Sequence, residues 1–278
     1  MEEIFQKNAK SEREAELRRG GVLSAKTFDD FSQLRAFLPS KKLRPFVSHY
    51  WIVHWDIPDG VTYRPTEVLS GPVINIFFLP NEAFLHGITT ETLDYEAKAR
   101  GVMAGVTFTC GGFYPFWGKS MSKFPTGKTP LAAVFPDYTA EFCNDLLSLE
   151  EDAVIADRID AVLRQIAVKE SPYLQTLHSI INTINSDSSL SNSKEVARHF
   201  RIPERTLQLL FQREVGVSLK WVTMRARLLE VAATASAMRK PDWAAIAADL
   251  GDSSQGHFIT DFKRATGETP ASFHKASR

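Results

Sequence analysis

Val196-Ala197-x-x-Phe200, followed by Leu207-x-x-x-Phe211-x-Arg213-x-x-Gly216-x-Ser218, returns about fifty residues later in the same chain. The second copy reads Ile246-Ala247-x-x-Leu250, then Phe258-x-x-x-Phe262-x-Arg264-x-x-Gly267-x-Thr269-Pro270. An internal repeat of this kind marks a duplicated structural unit. The offset shifts from 50 to 51 across the middle of the repeat, so the second copy is expected to have the longer turn.

Each copy predicts a helix, a tight turn and a second helix. Ser193 is expected to cap the first helix of the first copy, and Pro203 suits the opening of its second. In the second copy Ser254 is the expected cap and Gly251 permits the bend. Leu207/Phe211 and Phe258/Phe262 are i, i+4 pairs, so one face of each second helix is buried. The opposite faces carry Arg205, Thr206, Gln208, Leu209 and Gln212 in one copy. In the other they carry Gln255, Gly256, His257, Thr260, Lys263 and Arg264. A short helix with an apolar back and such a front fits a DNA major groove, where Arg and Gln each bond two base-edge atoms. Plain helical packing yields the same pattern. Lys263-Arg264 reads either as a pair of phosphate contacts or as a solvated face, and His257 either as a base reader or as a donor to a backbone carbonyl.

Between the copies, Ser218 to Met238 predicts one long helix stopped before Pro241. About 20 residues at 1.5 Å each span roughly 30 Å, close to the roughly 34 Å of one DNA turn. The two second helices would then sit in successive major grooves on one face of the duplex, and one protomer would read a long asymmetric site.

The C-terminal hundred residues resemble the DNA-binding domain of AraC/XylS-type transcription regulators. The segment Gly251…Gln255-x-His257-Phe258…Phe262-Lys263-Arg264…Gly267-x-Thr269-Pro270 carries the resemblance, supported by Arg227-Leu228 in the linker helix. It implies a seven-helix module behind a variable N-terminal effector or oligomerisation domain. Gly105-x-x-Phe108-x-x-Gly111-Gly112-Phe113-x-Pro115-Phe116 is similar to a cupin-like N-terminal signature in one branch of that family. Leu209 and Thr260 stand where the family commonly has Arg, which implies weaker phosphate binding or a different base preference.

Outside this region the texture changes. Tyr50–Trp55, Val73–Leu79, Ala83–Ile88 and Val102–Phe108 are short β-like runs, separated by Pro58-Asp59-Gly60, Gly71-Pro72, Pro80-Asn81 and Gly111-Gly112. They predict a small barrel or sandwich. Trp51, Trp55, Phe77, Phe78, Phe108 and Phe113 either line an effector pocket inside it or fill its core. After Trp117 the period is helical: Ile155/Ile159/Val162/Ile166 form one stripe and Tyr173/Leu177/Ile180/Ile181/Ile184 another. The first stripe either pairs with a second protomer or packs on its own barrel.

Charge is balanced, with Lys+Arg 33 against Asp+Glu 33, but not evenly placed. From Ser171 onward there are 14 Lys+Arg against 10 Asp+Glu, which favours that part as the one facing a polyanion. Cys110 and Cys143 alone make neither a disulfide framework nor a Cys-rich metal site. The start Met1-Glu2-Glu3-Ile4 has no secretory character and no apolar run is long enough to span a bilayer, so a cytoplasmic protein is expected. His49 and His54 fall on opposite faces of a strand, which with His86 predicts no metal site. Gly118-Lys119-Ser120 and Gly127-Lys128-Thr129 lack the upstream glycine of a phosphate loop. No cofactor and no catalytic centre are expected.

The reading is an α+β chain of two domains: 1–26 a flexible tail, 27–118 a small cupin-like β-barrel for effector binding or oligomerisation, 119–170 a helical linker that includes candidate dimer helices, and 171–278 an all-α double helix-turn-helix. The expected partners are double-stranded DNA, RNA polymerase, a small-molecule effector and a second copy of the chain. The rivals are a cupin-type enzyme and an interaction protein whose recognition helices no longer bind DNA.

Overall fold

The structure, a computed structural model, describes residues 31–59, 71–88, 97, 99–166, 168, 170–187, 189–237, 241–249, 255–266 and 269–276. The 1–26 tail, Gly251 and Ser254 lie outside these residues.

Strands β1 (Ser32–Phe37), β2 (Val47–Asp56), β3 (Asn75–Leu79), β4 (Glu82–His86), β5 (Arg100–Phe108) and β6 (Lys128–Pro130) form one antiparallel sheet in the order β1-β2-β5-β3-β4-β6. The expected closed barrel is corrected to an open sheet, with β1 and β6 as opposite edges among the described residues. Closure needs tilted, staggered strands that bring the last beside the first. Here helices cover one face instead. The β3–β4 hairpin turns at Pro80-Asn81, with Asn81 at φ 66°. Its side chain and backbone N–H both bond Asn144, which pins the hairpin tip.

Alternation along β2 decides which layer each side chain enters. Tyr50 and Ile52 join Phe78, Ala104, Val106 and Phe108 in the larger core, whereas Val53 and Trp55 join Leu79, Phe84 and Met103 on the opposite face. Helix α1 (Tyr114–Trp117) and a 3-10 turn (Met121–Lys123) lie between β5 and β6, and a second 3-10 turn (Leu131–Ala133), α2 (Ala140–Leu147) and α3 (Asp152–Leu163) follow β6. Ile155 and Ile159 are buried in the larger core, with Val162 and Ile166 packed against it. This stripe therefore serves its own sheet. Two buried carboxylates tie α3 down: Asp160 accepts from the Tyr50 hydroxyl at 2.9 Å and the Ser40 N–H at 2.8 Å, and Asp152 meets His54 Nε2 at 2.6 Å.

Seven helices follow among the described residues: α4 (Leu174–Ser186), α5 (Ser193–Phe200), α6 (Glu204–Glu214), α7 (Leu219–Ala237), α8 (Trp243–Asp249), α9 (Gln255–Thr266) and α10 (Pro270–Ala276). They enclose two separate cores. Leu177, Ile180, Ile184, Val196, Leu207, Phe211, Leu219 and Val222 build the first. Leu228, Val231, Ala247, Phe258, Phe262 and Phe273 build the second. Helix α7 contributes its first half to one and its second half to the other. Tyr173, expected on the buried α4 stripe, instead precedes the helix and is exposed.

The sheet region and the first helical core share a seam. Cys110 is buried inside that core, and α6 packs against the Met121–Lys123 turn. Gly216, at φ 98°, has no room for a side chain: a Cβ would lie 2.9 Å from the Met121 carbonyl oxygen.

Candidate nucleic-acid interface

The first helix-turn-helix is α5, the turn Arg201–Pro203, and α6. The cap is Asn192 rather than Ser193: its side chain accepts from the Lys194 and Glu195 N–H groups, and Glu195 reaches back to close a full capping box. Ser193 instead donates to Glu204 Oε1 at 2.7 Å, bridging the start of α5 to the start of α6. Arg201 adopts the left-handed conformation at φ 54°, and its N–H closes on the carbonyls of Ala197 and Arg198. A glycine is usual at such a position, so sequence inspection for Gly misses this bend. Pro203, with φ −54°, caps α6 without donating.

On α6, Leu207, Leu210, Phe211 and Glu214 are buried, whereas Arg205, Thr206, Gln208, Leu209 and Gln212 are exposed. Arg205, Gln208, Leu209 and Gln212 fall at i, i+3, i+4 and i+7, one stripe of the helix. Gln208 Nε2 donates to Glu204 Oε1 at 3.2 Å, which steadies the first turn. Lys194, Arg198 and Arg201 are exposed on α5 and the turn, adding positive charge to the surface of this helix-turn-helix. Leu209 is 60% exposed, an unusual value for a leucine on a packed helix.

Helix α9 repeats the plan. Phe258 and Phe262 are fully buried, with ring centroids 5.7 Å apart, and Gly256, Thr260 and Lys263 are exposed. The Thr260 hydroxyl donates back to the Gly256 carbonyl at 2.9 Å. Gln255, His257 and Arg264 lie within α9, and their side chains fall outside the described ones. Arg213, which occupies the position of Arg264 in the first copy, faces the seam. It pairs with the buried Glu214, and its guanidinium lies 5.2 Å from the Tyr173 ring centre and 5.9 Å from that of Tyr114. The hydrogen bond to Glu214 raises its pKa further.

The residues matching the first and second copies thus sit in two units joined by a 19-residue helix. A helix-turn-helix domain model matches residues 196–276. The C-terminal part of this chain is an AraC-type helix-turn-helix domain. Such a domain is the DNA-binding part of transcription regulators. A second model, a domain of unknown function (DUF6597), matches residues 35–128, most of the sheet region. Among solved structures, the C-terminal domain of the response regulator AraT from Geobacillus stearothermophilus is similar at 23% identity, covering 38% of this chain and 85% of that one, with a TM-score of 0.32. A Listeria innocua protein of unknown function is similar at 27% identity over 38% of this chain and 97% of that one, with a TM-score of 0.32. ToxT from Vibrio cholerae covers 88% of this chain and 98% of its own, at 10% identity and a TM-score of 0.40. No curated protein matches.

The six aromatics named for an effector pocket are divided by the sheet. Phe78, Phe108 and Phe113 are buried in the larger core, where Phe108 and Phe113 meet edge to face at 5.0 Å. Trp51, Trp55 and Phe77 lie on the other face. There a Cβ at Gly105 would collide with the Trp51 ring and one at Gly101 with the Trp55 ring, so both indoles rest directly on β5 backbone. A groove of about 600 Å³ opens elsewhere, between the ends of β1, β2 and β5 and the start of α3. Arg35, His54, Asp56, Arg100 and Asp152 line it, with Trp55 as the one residue shared with the sequence reading. His54 and Asp152 are 98 positions apart, a separation no local motif signals.

Both cysteines are buried free thiols, and burial pushes Cys110 up to about 12. Among the described residues no three His, Cys, Asp or Glu side chains gather as metal ligands. No described helix is long and apolar enough to cross a membrane.

Proposed function

We propose that the protein is a sequence-specific regulator of transcription that lays α6 and α9 into successive major grooves of double-stranded DNA. The observation that carries this reading is the pair of helices with buried aromatic backs and exposed polar fronts, held apart by α7. At 1.5 Å per residue the 19 residues of α7 extend about 28 Å, which suits two grooves about 34 Å apart. Arg205, Thr206, Gln208, Leu209 and Gln212 would face one groove; Gln255, Gly256, His257, Thr260 and Lys263 would face the next, with Arg264 at its edge. The matched domain supports DNA as the partner.

For the N-terminal region the same reading assigns a sensor. A small polar effector fits the charged groove beside His54 and Asp152 better than the six aromatics, which are packed against one another or against backbone. A second copy of the chain would use a surface other than the Ile155/Ile159 stripe, and RNA polymerase would meet whichever face the DNA leaves open.

Selection of DNA from a random pool with the purified chain tests the proposal. An enriched motif spanning two half-sites one turn apart, with binding that falls steeply as salt rises, is expected. Binding without any enriched motif would overturn it.

A further inference from the structure

We infer that Leu209 reads the 5-methyl group of thymine, so that the half-site under α6 is defined in part by an apolar contact. This rests on the DNA-binding reading above and specifies what one position of that site recognises.

Leu209 is 60% exposed, although α6 buries Leu207, Leu210 and Phe211 one to two residues away. Its exposure is therefore a matter of position. At about 100° per residue, Leu209 lies roughly 40° past Arg205, near the middle of the exposed arc that runs from Gln208 and Gln212 through Arg205 to Thr206. Arg205 is one turn before it and Gln212 is three residues after it, both exposed. An isobutyl group in that setting is flanked along the helix by side chains that donate hydrogen bonds, and the same helix-turn-helix also exposes Arg198 and Arg201.

This chemistry selects its occupant. A protein partner covering an apolar side chain would have to bury the arginine and glutamines around it, at the cost of desolvating unpaired donors. A DNA major groove offers both kinds of partner side by side. Purine N7 and O6 atoms accept from Arg and Gln, and each A·T pair presents one methyl at the groove surface. The surrounding positive charge matches phosphate on either side. Leucine has no polar atom, so among the four bases it distinguishes thymine alone, by covering its methyl.

The test separates the methyl from everything else. In the motif selected by the full chain, each thymine is replaced in turn by deoxyuridine, which removes the methyl and keeps every hydrogen-bonding atom. At one or two positions in one half-site the wild-type chain should bind about fourfold more weakly, the equivalent of exposing one methyl-sized group. Leu209→Ala, a substitution at an exposed position, should bind the unmodified site about equally more weakly and show no further loss with deoxyuridine. A uracil penalty that persists undiminished in Leu209→Ala, or no penalty at any thymine, would overturn the assignment while leaving sequence-specific binding intact. If the pool yields no motif, both readings fall together.

Discussion

Arg205 and Lys263 are both exposed cations, one on α6 and one on α9, and the proposed function gives them different work. Arg205 stands in the first turn of α6 and is expected to reach base edges. Arg205→Ala should therefore relax preference at one or two base pairs, by about 1–3 kcal/mol of discrimination. Lys263, in the last turns of α9, is expected to meet phosphate. Lys263→Ala should weaken binding to all sequences and lower the log–log salt slope by about 0.9, read by titrating salt against the selected site. A third residue bears on stability. Burial holds His49 at about 4, below its ordinary 6.5. The unfolded chain takes up a proton in that interval before the folded chain does. The stability His49 contributes is complete above pH 6.5 and is lost as pH falls toward 4, by about 3 kcal/mol at most. Urea midpoints measured from pH 7.5 to 4.5 should decline less steeply in His49→Asn. At this scale the sequence was legible where periodicity governs, as at Leu207, Phe211, Phe258 and Phe262. It was misleading where neighbouring residues compete for one role: Asn192 and Ser193 are both good caps, and only the position of Glu195 and Glu204 settles which one serves.

Helix α6 illustrates how an element draws on distant sequence. Phe211 is fully buried in a core closed by α4, α5 and α7 and by Cys110 from the sheet region. Phe211→Ala should cost about 3–5 kcal/mol, measured by chemical denaturation. Phe258 belongs to the separate second core. Phe258→Ala should produce a similar loss, with faster amide exchange confined to the second half of α7 and to α8, α9 and α10. The strands were read with uneven success for a related reason. β2, β3 and β5 are rich in aromatic and β-branched residues, so they stand out in the sequence. β1 is half exposed and carries Gln33 and Arg35, while β6 has three residues and ends in proline. Edge strands are kept short and polar because unpaired edges invite aggregation, and this blurs the pattern that would announce them. The six aromatics divide between two faces of the sheet, a partition that aromatic composition does not reveal.

At the scale of the molecule, the sheet region and the first helix-turn-helix keep separate cores that meet at a packed seam, where Cys110 enters the helical core and α6 rests on the Met121–Lys123 turn. Among the described residues the second helix-turn-helix has its own core, to which Leu228 and Val231 of α7 contribute. Gly216→Ala should report on the seam: at φ 98° a side chain is strained, and its Cβ would press on the Met121 carbonyl. A loss of about 1–3 kcal/mol is expected, with the selected DNA site bound less tightly because α6 is displaced. Unchanged stability and affinity would show that the seam gives way freely.

That seam also governs how this chain can be recombined. A graft that kept residues 171–278 and supplied a foreign N-terminal half would remove Cys110 from the first core. It would also deprive Gly216 of its neighbour and leave Arg213 with one aromatic ring in place of two. The second helix-turn-helix, with Phe258, Phe262 and Phe273 closed upon themselves, would travel intact. Its first counterpart is portable only together with the Cys110–Lys123 segment, so the natural cutting point for a hybrid regulator lies inside α7, between Val222 and Leu228.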